Sequence, residues 1–254
     1  MKKILFLILE LLFVQIASAD TVNIDWSVDG QTYTQTTCTV GGDIILPTAP
    51  TKRGHTFLGW AIYTPIEYIE STGTQYIDTG FMPNQNSGME IDVYSIRSND
   101  PNFAGVFDGT YFWGCNANSG VSTTNFIVSN GSASNYWRAQ GIFGGGTGRY
   151  QITIDKANMS IKASNGQIYT RTSAQSAFQI TGYDLWLFAD NRARPQLSST
   201  RIYGCKLYDN DTLVRDFIPV LDPNGTPCMY DNVSKTFFYN AGTGNFIAGP
   251  VINQ

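Results

Sequence analysis

Arg201-Ile202-Tyr203-Gly204-Cys205-Lys206-Leu207-Tyr208, followed by Asp209-Asn210 and then Leu213-Val214-Arg215-Asp216-Phe217-Ile218, is the stretch that decides the fold class. In its first part Cys205 alternates with Tyr203 and Leu207, a spacing of two that lays one side of a strand against a core. Asp209-Asn210 supplies a turn, and the second run comes back as another strand. The same grammar continues in both directions, through runs such as Gly88–Ser95, Tyr111–Cys115, Tyr136–Ala139, Tyr150–Ile154, Leu185–Ala189 and Lys235–Tyr239. Asp108-Gly109, Asn130-Gly131, Asn165-Gly166 and Pro223-Asn224-Gly225 punctuate them as turns. No helical stripe competes after Asp20. Many short strands at this spacing predict an all-β protein, a sandwich or barrel.

Composition sets further bounds. Of 254 residues only 14% are charged and 13% are aromatic, which suits a packed core and not a disordered chain. Sixteen Lys and Arg against twenty Asp and Glu give a net charge of −4. With no basic patch to neutralise phosphates, nucleic acid is not an expected partner. One histidine and four scattered cysteines provide neither a zinc set nor a Cys–His nucleophile pair, so no metal and no cofactor are expected.

The N-terminus carries the marks of a secretory leader over residues 1–19. Lys2 and Lys3 precede the apolar run Ile4 to Ile16, which Glu10 interrupts, and Ala17-Ser18-Ala19 closes it with small residues. The mature chain is expected to begin at Asp20, with no membrane span, and to reside in the periplasm, at the surface or outside the cell. Export permits disulfides. A Cys205–Cys228 bridge is one candidate, and four cysteines allow three complete pairings.

After Asp20, Val22, Ile24, Trp26 and Val28 alternate with polar residues as a strand. Asp29-Gly30 is a hairpin turn signal, and Gln31 to Val40 is the return strand. Gly41-Gly42 turns again, and Ile44-Ile45-Leu46 reads as a short third strand. Then comes Leu46-Pro47-Thr48-Ala49-Pro50-Thr51-Lys52-Arg53-Gly54-His55-Thr56-Phe57-Leu58-Gly59-Trp60. This run resembles the internalin B-repeat, also called the Listeria–Bacteroides repeat. The resemblance implies a small β-grasp-like module over residues 20–64, of a kind used in adhesion or as a spacer on secreted and surface proteins. His55 stands where that family has a tyrosine, and new sequence replaces the strand expected after Trp60, so the module is truncated. Trp26, Phe57 and Trp60 are read as its own core. The repeat signature ends in Ala61 to Pro65, and Pro65 would break a continuing strand, which places a domain boundary there.

A second domain is expected over residues 65–254. It opens with Glu67-Tyr68-Ile69-Glu70-Ser71-Thr72-Gly73-Thr74-Gln75-Tyr76-Ile77-Asp78-Thr79-Gly80 and closes with Phe238-Tyr239-Asn240-Ala241-Gly242-Thr243-Gly244. Gly73-Thr74 with Gly80 and Gly242-Thr243 with Gly249 share one spacing, a weak echo between similar hairpin strands. Together with the Arg201–Asn210 and Leu213–Pro219 phrases, these runs resemble concanavalin A-like, laminin-G-type lectin/glucanase jelly rolls of bacterial surface and phage proteins. The resemblance implies a two-sheet jelly-roll sandwich with its chain ends close together, and it implies fold more securely than ligand.

Glu90-Ile91-Asp92-Val93-Tyr94-Ser95 is the sharpest enzymatic hint. Family-16 glycoside hydrolases, on the same type of jelly roll, carry E-[IL]-D-x-x-E, and retaining hydrolysis needs paired carboxyls flanking the sugar bond. Here the third position is Ser95. The expectation is therefore a strand with Met89, Ile91 and Val93 inward and two solvated acids, no catalytic residue, and a protein that is not an enzyme. Asp209-Asn210-Asp211 and Asp222-Pro223-Asn224-Gly225 read as turns and not as calcium loops. Gly144-Gly145-Gly146-Thr147-Gly148 lacks a Walker lysine.

Binding is better supported than catalysis. Tyr111-Phe112-Trp113 and Asn135-Tyr136-Trp137-Arg138 mix rings with planar polar groups, the combination that recognises sugars. Tyr111, Trp113, Asn135, Trp137 and Arg138 are the candidate ligand contacts, with Trp113 and Trp137 as platforms and Arg138 as polar partner. Trp186 and Phe188 are assigned to the core. The expected function is an exported, non-catalytic recognition or adhesion protein of the cell envelope whose partner is a glycan or an envelope or host surface protein. The alternatives are a degenerate polysaccharide hydrolase of the glucanase type and a structural envelope protein that binds other proteins.

Overall fold

The computed structural model describes residues 20–28, 31–53, 63–96, 102–118, 125–131, 136–139, 147–173, 177–193 and 195–252. The expected leader, the Asp29-Gly30 turn, and His55, Phe57 and Trp60 of the repeat signature lie outside the described residues. The chain divides into two compact units between Trp60 and Ala61.

In the first unit Thr21–Val28 and Gln31–Thr39 form an antiparallel hairpin, with Thr21 opposite Thr39 and a bulge between Trp26 and Ser27. Trp26 is buried and its Nε1 donates to Thr36 Oγ1 at 2.8 Å. The expected third strand is corrected: Ile44, Ile45 and Leu46 are exposed and unpaired as strand. The run is only three apolar residues long, and Pro47 and Pro50, which have no backbone N–H, follow it at once and leave too little to hold a ladder.

The second unit is all-β, with no helix among the described residues. Its larger sheet runs, in spatial order, Ile168–Thr172, Asn158–Ala163, Gly148–Asp155, Ser87–Ser95, Ser199–Asp209, Thr212–Leu221, Pro227–Asp231 and Thr236–Phe238, all antiparallel. Ile69–Thr72 pairs with the first four residues of Ser199–Asp209, and Thr64–Pro65 already belongs to this sheet through Val220 and Leu221. The smaller sheet runs Trp137–Ala139, Asn125–Asn130, Phe112–Asn118, Asn102–Phe107, Trp186–Leu187 and Ile77–Asp78. Ala189–Asn191 joins it parallel to Asn102–Phe107.

Alternation explains the core between them. Met89, Ile91, Val93, Ile152 and Leu207 of the larger sheet meet Phe103, Val106, Trp113, Phe126 and Val128 of the smaller in one buried cluster. In the stretch that decided the fold class, Cys205 and Leu207 are buried as expected, but Tyr203 is not with them. A bulge opposite Ser87–Ser95, between Ile202 and Gly204, inserts one residue. Ile202 takes the core position and Tyr203 turns to the outer face, where Arg149 lies 3.7 Å over its ring.

The ends of this unit meet: Ile66 bridges Val251, Glu67 N donates to Pro250 O at 2.9 Å, and Gly249 N donates to Tyr68 O at 2.8 Å. All four cysteines are free and buried, which corrects the candidate Cys205–Cys228 bridge. Cys205 belongs to the main core, whereas Cys228 sits in a separate small cluster with Val220 and Tyr230.

Candidate ligand-binding groove

The pleat of the smaller sheet sorts its aromatic strands into two faces. On Phe112–Asn118, the side chains of Trp113, Cys115 and Ala117 enter the core, which leaves Phe112 and Asn116 on the outer face. On Asn125–Asn130, Phe126 and Val128 go inward and Ile127 outward; on Trp137–Ala139, Trp137 and Ala139 go inward and Arg138 outward. Register then sets Arg138 opposite Ile127 and Ile127 opposite Asn116, a row across three strands. Phe107 and Phe112 form another outward pair, four residues or ~13 Å along from Asn116. Gly114 stands between Phe112 and Asn116 on that face, and a Cβ there would lie 2.2 Å from Ala104 O, so the strands approach only because it is glycine.

A tight corner completes the site. Phe188 adopts φ of 66°, a conformation costing a bulky residue on the order of 1–3 kcal/mol. Its ring is fully buried against Phe246, 4.9 Å between centroids, and its N–H donates to Phe103 O at 2.7 Å. The corner sends Asp190 alongside Gly105 and brings Arg192 over the Phe107 ring, 5.3 Å from its centroid. Asp190 is fully buried and ion-paired with Arg192. Burial of the Arg192 guanidinium pulls its pKa down from the usual value.

These residues enclose a groove of about 270 Å³ lined by Phe107, Phe112, Asn116, Ile127, Tyr136, Arg138, Arg192 and Gln196. Arg138 donates to Tyr136 Oη and lies 4.8 Å from the centre of that ring. Asn116 Oδ1 is buried and has no hydrogen-bond partner among the described residues.

The structure distributes the expected contacts unevenly. Arg138 lines the groove, and Asn135 lies outside the described residues. Trp113 has 0% exposure and packs edge-on to Phe81, 6.3 Å between centroids, and Trp137 has 9%. Both rings point into the core because their strands' inward phase falls on odd-numbered positions, so neither offers an open stacking face, which corrects the platform assignment. Tyr111 is half-buried against the core beside Phe178. Trp186 is half-buried and stacks on Tyr76 at 3.9 Å, whereas Phe188 is core as expected. The residues missed, Phe112 and Tyr136 above all, are immediate neighbours of those named.

The hydrolase-like strand lies on the other sheet. Glu90 is exposed and receives the Tyr208 hydroxyl at 3.2 Å. Asp92 accepts Arg149 Nε at 2.8 Å, Arg149 Nη2 at 3.0 Å and Gln151 Nε2 at 3.3 Å. Pairing with Gly148–Asp155 is unbroken from Gly88 to Ser95, so position 95 falls on the face opposite Glu90 and Asp92; Ser95 is fully buried. A carboxyl at that position would not join the other two.

Asp209-Asn210-Asp211 is a hairpin turn with Asn210 and Asp211 at φ of 49° and 66°, and Lys156 pairs with Asp211 at 2.7 Å. Asp222 Oδ1 caps its own turn through the Asn224 and Thr226 amides at 2.9 and 2.8 Å. Among the described residues no cluster of three or more His, Cys, Asp or Glu is placed to hold a metal ion. Among them, too, no helix is long and apolar enough to cross a membrane. No family model matches the chain, and no curated protein matches it.

Proposed function

We propose that this chain is an exported, non-catalytic recognition protein that binds a saccharide in the groove on the outer face of its smaller sheet. The groove itself carries the reading: the half-buried rings of Phe107 and Tyr136, with the buried Phe112 between strands, line the same space of about 270 Å³ as Arg138 and Asn116. A pyranose has an apolar C–H face and a rim of hydroxyls, and it needs such rings with a few planar polar groups. The volume lies near the lower end for small-molecule sites, ~300 Å³, which suits a chain end or a short stretch of polysaccharide. The likeness of the N-terminal run to internalin B-repeats and of the larger unit to lectin/glucanase jelly rolls supports recognition at a cell envelope. The leader-like residues 1–19 support export, and a mature N-terminus at Asp20 is the corresponding outcome of N-terminal sequencing. The burial of Ser95 and the pairing of Asp92 with Arg149 argue for binding over hydrolysis.

A glycan array probed with the purified protein tests the reading. Tyr136→Ala should weaken any saccharide found there about tenfold or more, by analogy with loss of a stacked base. No saccharide bound, or unchanged binding in that variant, would remove the groove as the site. Capture of an envelope protein in place of a saccharide would favour the structural alternative.

A further inference from the structure

Four arginines of the second unit lie beside carboxylates, and Arg138 differs from them. Arg149 faces Asp92, Arg192 faces Asp190, Arg201 faces Glu70 and Arg215 lies 3.8 Å from Asp231. Arg138 is exposed in the groove and has no carboxylate within ion-pair distance among the described residues; its partner is the neutral Tyr136 hydroxyl. Among the described residues the groove lining contains two arginines and no acidic side chain, on a chain whose net charge is −4. Asp190, the partner of the groove residue Arg192, is buried and already paired with it. An unneutralised guanidinium beside aromatic rings is a docking point for an anion.

We infer that the saccharide taken by this groove is acidic, a uronate whose carboxylate meets the Arg138 guanidinium while its C–H face lies on the neighbouring rings. The inference rests on the reading of the groove as a saccharide site and adds the chemical class. A guanidinium presents a planar fork that matches a carboxylate in two parallel hydrogen bonds, whereas a neutral hydroxyl uses only one of its donors. Tyr136 holds the fork from one side, so little side-chain freedom is lost when the anion arrives. Asn116 Oδ1, without a donor among the described residues, is the acceptor for a ring hydroxyl once its amide turns toward the ligand. A sulfated sugar offers the same charge without the planar two-oxygen match.

The test titrates the full chain with an oligouronide, with the same oligosaccharide after carboxyl reduction, and with a sulfated neutral oligosaccharide. The oligouronide should bind about tenfold or more tightly than its reduced form, the difference expected of a charged hydrogen-bonded contact. Arg138→Gln should erase that difference without lowering thermal stability, because the side chain is exposed. Raising salt should weaken the oligouronide and leave the reduced form unchanged, a measurement that needs no variant. Equal binding of the acidic and reduced oligosaccharides would overturn the inference while leaving a neutral saccharide site in place. Preference for the sulfated sugar would overturn the uronate assignment. No binding of any of the three would take down the saccharide reading itself.

Discussion

Thr74 and Thr243, separated by 169 residues, exchange two hydrogen bonds: Thr243 N donates to Thr74 O at 3.0 Å, and Thr74 Oγ1 donates to Thr243 O at 2.9 Å. The two Gly-Thr pairs that echo each other in sequence are therefore physical neighbours, clamped where the unit begins and ends. Gly242 lies under the clamp, and a Cβ there would sit 2.1 Å from Thr74 O.

Closure should consequently depend more on Gly242 than on the Thr74 hydroxyl. Thr74→Val removes one hydrogen bond and should cost about 0.5–1.5 kcal/mol. Gly242→Ala forces the two segments apart and should cost on the order of 1–3 kcal/mol, the larger loss of the pair. Urea denaturation of both variants checks the order; a Gly242→Ala protein as stable as the wild type would remove the clamp from the account.

Trp113 should behave as core. Trp113→Ala opens a large cavity between the sheets and should destabilise by roughly 3–5 kcal/mol, whereas Arg138→Gln should leave the midpoint nearly unchanged. Chemical denaturation separates the two directly.

Stability should fall in acid. Asp231 is fully buried. Burial raises its pKa, but donation from Asp216 N, Ser234 Oγ, Val233 N and Ser234 N more than offsets this and holds the carboxyl below its usual range. Asp222 is held low in the same way, burial being outweighed by the Thr226 amide, the Tyr239 hydroxyl and the Asn224 amide. A folded pKa below the unfolded value of about 3.9 means that stability is fully present above that pH and drains away as pH falls through the folded value. Asp231→Asn should cost roughly 1–3 kcal/mol at pH 7 and much less near pH 2. Denaturation midpoints at the two pH values test this; an equal loss at both would contradict it.

The thiols should be silent until the chain unfolds. Burial pushes Cys115 and Cys205 far above the ordinary thiol range and raises Cys228 to about 12. At pH 8 a thiol reagent should label none of these three in the native protein, and all four cysteines once denatured without reductant. A denatured count of two would mean a disulfide.

Hydrolysis should be absent. Glu90→Ala removes an exposed carboxylate and should change stability by less than about 1 kcal/mol. β-Glucan turnover that disappears in this variant would restore the enzymatic alternative.

Much of the fold was legible in the residues because alternation and turn chemistry are local. Met89, Ile91 and Val93 read inward and are buried, and Asp222-Pro223-Asn224-Gly225 reads as a turn and is one. The groove was harder. In Tyr111-Phe112-Trp113 three successive rings satisfy either phase of a strand, so the pattern names the strand and not the face. Arg138 was accessible because a charge fixes its own phase.

The sequence by itself determined that this protein is all-β, that its strands turn where Gly, Asn, Asp and Pro place the corners, and that aromatic strands in the middle of the larger unit carry polar partners. Only the tertiary structure decided that Phe112 and not Trp113 faces the groove, that Tyr203 leaves the core at a bulge, and that the strained corner at Phe188 sets Asp190 beside Gly105 and Arg192 over the Phe107 ring. Each of these depends on the register between strands distant in the chain. A one-residue shift in that register reverses every side chain on a strand, and it is packing of the whole sandwich that selects among the shifts.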